Sequence, residues 1–226
     1  MTARLARVQA ATLGCLLENP DAMRQTEIAN AIHATQARVS QVLAETDRDG
    51  LTLRTAAGWQ VTDPAAVFDL CTGQPLRPLP PLGWYALEPG LRQVESSIDA
   101  ATRARAEYRL TGDWAADLLA PWRIPQLVVL HVDKPLDLED AGFVPAELTD
   151  ATLHLVVGTV PPRWRTDPRI AVRMADSEPG RNLAPVNDIA RRIRVTGGPD
   201  AAEAVAELRH RFLQARRAVE SESPRI

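Results

Sequence analysis

Between Thr26 and Thr46 two amphipathic helical segments are separated by only the residues His33-Ala34, a spacing that restricts the fold more than any other stretch. Ile28, Ala29 and Ile32 share one face of the first segment. Ala37, Val39, Val42 and Leu43 give the second an inner face. Thr35 sits where an N-cap is needed, and its hydroxyl suits that position. His33 falls where such a turn needs a left-handed residue, which His reaches at modest cost. Ahead of this pair, Val8, Ala11, Thr12, Cys15 and Leu16 recur at three- and four-residue spacing. They predict a helix over Ala3–Glu18, stopped by Asn19-Pro20-Asp21.

Helix, short turn, helix is the arrangement of DNA-binding helix-turn-helix modules. After Asp49-Gly50, two alternating runs, Leu51–Arg54 and Trp59–Thr62, flank Thr55-Ala56-Ala57-Gly58. They predict a β-hairpin, and a hairpin after a recognition helix is a wing. The expected first domain is therefore a winged helix-turn-helix over residues 1–72. On this expectation the third helix enters the major groove of double-stranded DNA. Thr35, Gln36, Arg38, Ser40 and Gln41 then face the base edges. Arg38 matches guanine O6 and N7, and Gln36 or Gln41 matches adenine. Arg54 on the wing meets phosphate or the minor groove. Each would otherwise be a solvated polar residue on an exposed face, and winged helices also serve as plain interaction modules.

Charge narrows where nucleic acid could touch. The chain has 226 residues and a net charge of −3. Residues 66–159 hold 7 basic against 13 acidic groups, whereas residues 160–226 hold 13 Arg against 9 acids. A blanket polyanion binder is excluded, and any contact must be local to the first or last segment. No run of about 20 apolar residues suggests a membrane span, and no secretion signal is visible. Cys15 and Cys71 are distant in sequence, which fits a reducing cytoplasm.

Pro64–Leu70 reads as a short helix, and the Pro-rich stretch 73–83 as a linker. Residues 84–220 read as a mixed α/β second domain with a small sheet, so the expected fold class is α+β. Gln126–Val132, Leu153–Gly158 and Ile170–Met174 are the expected strands, and Trp84–Leu87 is a short strand or a packed anchor. Leu91–Arg109, Trp114–Ala120, Pro185–Arg194 and Ala201–Val219 are the expected helices.

Catalytic constellations are not visible: the sequence has neither a Gly-rich phosphate loop nor a Gly-x-Ser-x-Gly elbow. His33, His131, His154 and His210 have no metal-binding spacing. His131 and His154 lie inside apolar strand runs and read as structural residues. Asp137-Leu138-Glu139-Asp140 follows Pro135 and reads as a loop or helix start whose acids suit the helix dipole. The expectation is a non-enzyme with no metal and no cofactor.

A family resemblance joins these pieces. The winged helix is followed by Tyr108-Arg109-Leu110-Thr111-Gly112-Asp113-Trp114-Ala115-Ala116-Asp117-Leu118-Leu119-Ala120-Pro121 and the strand Leu127–Val132. Then come Leu183-Ala184-Pro185-Val186-Asn187-Asp188-Ile189-Ala190, Gly197-Gly198 and the helix from Ala201. This order resembles AbiEi-type antitoxins of type IV toxin–antitoxin systems. The resemblance implies a repressor that binds inverted repeats in its own promoter. It also implies a second domain that counteracts a nucleotidyltransferase-fold toxin. The Arg cluster Arg163, Arg165, Arg169, Arg173, Arg191, Arg192 and Arg194 would then be a second DNA-backbone surface or the face that deals with the toxin. Two other expectations stay open: a ligand-sensing winged-helix regulator, and a non-regulatory interaction module of a phage-defence system.

Overall fold

The structure is a computed structural model, and it describes residues 3–73, 80–158, 165–175 and 182–222. The fold is mixed α+β, with nine α-helices and two small sheets among the described residues.

Helices α1 (Ala3–Leu17), α2 (Gln25–Ala31) and α3 (Gln36–Arg48) come first. They are followed by the antiparallel pair β1 (Thr52–Arg54) and β2 (Trp59–Val61). Leu13, Leu16, Ile28, Val39, Val42 and Leu43 are fully buried, so these apolar stripes converge as their spacing predicts, whereas Ala37, expected on the inner face of α3, is exposed in its first turn. One pairing in this part escaped the sequence reading. Met23, between α1 and α2, exchanges backbone hydrogen bonds with Trp59 (2.9 and 2.8 Å), adding a third short stretch to the hairpin. Gly58 makes this approach possible, because a Cβ there would lie 2.4 Å from the Met23 carbonyl oxygen.

Helix α4 (Pro64–Thr72) starts at Asp63, whose carboxylate accepts from the Ala65 and Ala66 amides. Beyond it, strands β3 (Leu82–Tyr85), β4 (Tyr108–Thr111), β5 (Val128–Val132), β6 (Val144–Pro145) and β7 (Leu153–Val157) form a sheet in the order β4-β5-β7-β3-β6. Among these named strands β5 and β7 are the pair that runs parallel. Both are nearly continuous apolar runs, as buried parallel strands require. The helices of this part are α5 (Gly90–Arg103), α6 (Gly112–Leu119), α7 (Pro168–Met174), α8 (Val186–Thr196) and α9 (Ala201–Glu222).

Three expectations change. Ile170–Met174 is helical, not a strand. Asp167 caps it by accepting from the Arg169 amide, Pro168 occupies the first turn, and Ile170 and Met174 are buried one turn apart. The expected helix Leu91–Arg109 ends at Arg103. Arg105 adopts φ +51°, and the Ala106 and Arg105 amides return to the Ala101 and Thr102 carbonyls, a Schellman closure. The chain then turns into β4. Finally, Leu82 and Gly83, assigned to the linker, lie in β3 opposite Leu155 and His154; residues 74–79 lie outside the described set.

The first three helices share one hydrophobic core with the later elements. Phe68 of α4 meets Phe212 of α9 with ring centroids 5.8 Å apart. Arg209 reaches both carboxylate oxygens of Asp69 at 2.8 Å. At the end of α1 the joining is reciprocal. Arg216 of α9, 1% exposed, donates from Nη1 to the carbonyls of Leu16, Leu17 and Asn19. Those of Leu16 and Leu17 are carbonyls that the end of α1 leaves without helical partners, and that of Asn19 lies just beyond it. In return Glu18 enters the later elements. Its Oε1 accepts from the Asn187 amide at the start of α8 (2.9 Å), and its Oε2 meets the Thr166 hydroxyl (2.5 Å).

Candidate nucleic-acid interface

The start of α3 is held by its neighbours. Thr35 is the N-cap, its hydroxyl accepting from the Arg38 amide, and Gln25 of α2 donates to the Gln36 carbonyl at 2.9 Å. Between the helices His33 sits at φ +52°. The His33 and Ala34 amides bond back to the Asn30 and Ala29 carbonyls, closing α2 the same way α5 is closed. These bonds set the angle at which α3 leaves the pair.

The outer face of α3 is accessible. Thr35, Gln36, Ser40 and Gln41 are exposed and Arg38 is half exposed. Arg54 is exposed on β1, beside the turn in which Thr55 and Gly58 bond each other. Neither Arg38 nor Arg54 has an ion-pair partner among the described residues. Arg38 is the sole charge from Thr35 to Ala44; the acids Glu45, Asp47 and Asp49 follow toward the C-terminal end. Arg24, exposed at the entry to α2, is a cation the sequence reading passed over. Polar donors and acceptors with one unspent guanidinium therefore face solvent at the N-terminal half of α3. That chemistry can read base edges.

The later arginines are differently placed. Arg163 lies outside the described residues, and Arg165 is exposed. Arg169 is bound to Asp167 and Asp21, Arg173 to Glu222, and Arg191 to Asp188. Arg192 lies 3.0 Å from His131 Nε2, and Arg194 is exposed. Much of this cluster's charge is thus spent within the chain.

The motif residues named from the sequence have structural tasks. Gly112 takes φ +69° between β4 and α6. Arg123 Nη2 joins Asp113 Oδ1 (2.7 Å) to the Gly197 carbonyl (3.1 Å), so Gly112-Asp113 and Gly197-Gly198 meet in space. The notch beside them, lined by Asp113, Asp117, Trp122, Arg123 and Ile193, measures about 10 Å³. That is room for about one water, too little for an organic ligand.

No family model matches this chain, and no similar curated protein or solved structure was found. Among the described residues no helix is long and apolar enough to cross a membrane.

Proposed function

We propose that the chain is a DNA-binding transcriptional repressor in which residues 3–73 act as a winged helix. The observation that carries this reading is the outer face of α3. Its exposed Gln36, Ser40 and Gln41 and unspent Arg38 stand on a helix set by a two-helix turn, with Arg54 on the adjoining hairpin. The bridge from Met23 to Trp59 adds support, since winged helices place a short strand between their first two helices. Within this reading α3 lies in the major groove and the Thr55–Gly58 turn lies along the backbone.

The narrower role rests on the resemblance to AbiEi-type antitoxins. It is repression of the chain's own promoter at inverted repeats, together with counteraction of a nucleotidyltransferase-fold toxin, without catalysis by this chain.

The test is a gel shift of the full chain on the DNA upstream of its own gene, at several salt concentrations. Sequence-selective binding is expected, weakening with salt as phosphate contacts are screened. Arg38→Ala should lose about 1–3 kcal/mol of discrimination with the fold intact. Equal affinity for unrelated DNA, or no effect of Arg38→Ala, would overturn the repressor reading. For the narrower role, co-expression with the toxin should restore growth, and failure to do so would remove that role alone.

A further inference from the structure

Helix α3 turns toward solvent a residue that its sequence places inside. Successive residues of a helix advance by about 100°, so positions three and four apart share a face. Val39, Val42, Leu43 and Thr46 are buried and fix the side of α3 that meets the core. Opposite them stand Ala37, Gln41, Ala44 and Arg48, all exposed. Gln36 and Ser40 lie to one side of this line, and the less exposed Arg38 and Glu45 to the other.

The two ends of the line differ in charge. Arg48 turns back on its own helix, donating from Nε to the Ala44 carbonyl at 3.1 Å. Glu45, Asp47 and Asp49 make that end acidic, and a phosphate backbone repels it. From Thr35 to Ala44 there is no acid. At this same end Gln25 holds the Gln36 carbonyl, and the neighbouring Arg24 is exposed. A duplex is therefore met by the N-terminal half of α3, where the outermost side chains are Ala37 and Gln41.

These two side chains suit different base edges. The amide of Gln41 has a donor and an acceptor, which match N7 and the N6 amino group of adenine. Ala37 offers only a methyl group. Being small at the most outward point, it lets the helix come close to the groove floor. The apolar group presented there is the 5-methyl of thymine. Four residues of helix rise about 6 Å, and successive base pairs stack about 3.4 Å apart. Bases reached by Ala37 and Gln41 therefore lie within about two pairs of each other. Gln36, the other glutamine of this turn, stands on the flank.

We infer that Ala37 and Gln41 set the base preference of α3: the Ala37 methyl packs on a thymine 5-methyl, and Gln41 binds an adenine within about two base pairs of it. The inference rests on the DNA reading above and adds to it the identity of the bases.

The test begins by selecting duplexes from a random-sequence DNA library with the full chain. A shared sequence containing neighbouring A·T pairs is expected. Each of its thymines is then replaced in turn by uracil, which keeps the base pair and lacks only the methyl. At one position affinity should fall about fourfold, the value of one buried methyl group. In Ala37→Gly this uracil effect should vanish, and in Ala37→Ser it should vanish or reverse. Thymine and uracil duplexes are compared within one variant, so a change in its overall affinity or stability does not enter. Replacing the adenine by 7-deazaadenine, which lacks the N7 acceptor, should cost the unsubstituted chain about fivefold and Gln41→Ala nothing. Selection of no sequence overturns the DNA reading and this inference with it. A selected sequence that tolerates uracil at every thymine overturns the inference and leaves the DNA reading in place. So does a uracil effect of unchanged size in both Ala37 variants, or an equal cost of 7-deazaadenine in Gln41→Ala.

Discussion

Glu18 and His131 are two titratable side chains whose ionisation burial disfavours, and their effects on stability run in opposite directions. Burial raises the Glu18 pKa to about 7, against the hydrogen bonds from Thr166, Asn187 and Val186 that pull it down. The folded chain therefore holds a proton on Glu18 that the unfolded chain releases near its ordinary value of 4.5. Stability from this group is complete below pH 4.5 and is lost as pH rises toward 7. Glu18→Gln keeps the shape, with an amide oxygen that can accept from the Asn187 and Val186 amides and an amide nitrogen that can donate to the Thr166 hydroxyl. Chemical denaturation across this window should show a flatter profile in the variant; an identical slope would contradict the assignment. For His131 the shift is downward, so the unfolded chain takes up a proton first as pH falls. Its contribution is complete above about 6.5 and is lost toward 3. His131→Gln should flatten that acid limb. Neither behaviour was legible in sequence. Glu18 reads there as the last residue of an amphipathic helix and His131 as an isolated polar residue in a strand. Their partners Thr166, Asn187 and Arg192 come from segments far along the chain.

Among the elements, those predicted best carry their own start and stop signals. The third helix has Thr35 before it and Gly50 after it, and Pro64 opens the fourth. The misplaced end of α5 lies on a signal that composition hides. Arg105 and His33 take left-handed backbone without being glycine, at φ +51° and +52°. His33 was legible because two apolar faces bracket it, whereas Arg105 follows a helical pattern that gives no reason to stop. Left-handed backbone costs a residue with a Cβ about 1–2 kcal/mol. His33→Gly, offset by the entropy of glycine in the unfolded chain, should raise stability by about 0.5–1 kcal/mol. Urea unfolding measures this, and DNA affinity should stay unchanged if the turn only sets the angle of α3. The seven residues of α7 show a second way to err. Ile170, Val172 and Met174 alternate with polar or small neighbours, but Ile170 and Met174 also fit one helical turn. Asp167-Pro168 decides between the two.

For the whole molecule, the contact between the first helices and the rest is core-like. Phe68 and Phe212 pack in it, Arg209 clasps Asp69, and Arg216 and Glu18 each satisfy the end of a helix in the other part. A joint with this many buried groups should unfold with its neighbours. Thermal melts followed by tryptophan fluorescence and by far-ultraviolet circular dichroism should coincide; separated midpoints would show two independent units. Phe68→Ala should cost about 3–5 kcal/mol through the cavity it leaves. Arg216→Met should be comparably damaging, since the Leu16, Leu17 and Asn19 carbonyls would be left buried without a donor.

Local sequence determined the helices around His33, the hairpin after Asp49-Gly50, the apolar strands at Val128 and Leu153, and the candidate reading residues on α3. Periodicity and capping act over a few residues and leave their mark within them. Only the tertiary structure decided which way the sheet orders its strands, that Met23 joins the hairpin, and that Glu18 and Arg216 exchange helix ends. It alone also set Arg192 beside His131. Those outcomes depend on groups brought together from distant positions, where burial removes water and each polar atom must find a partner that no local pattern names.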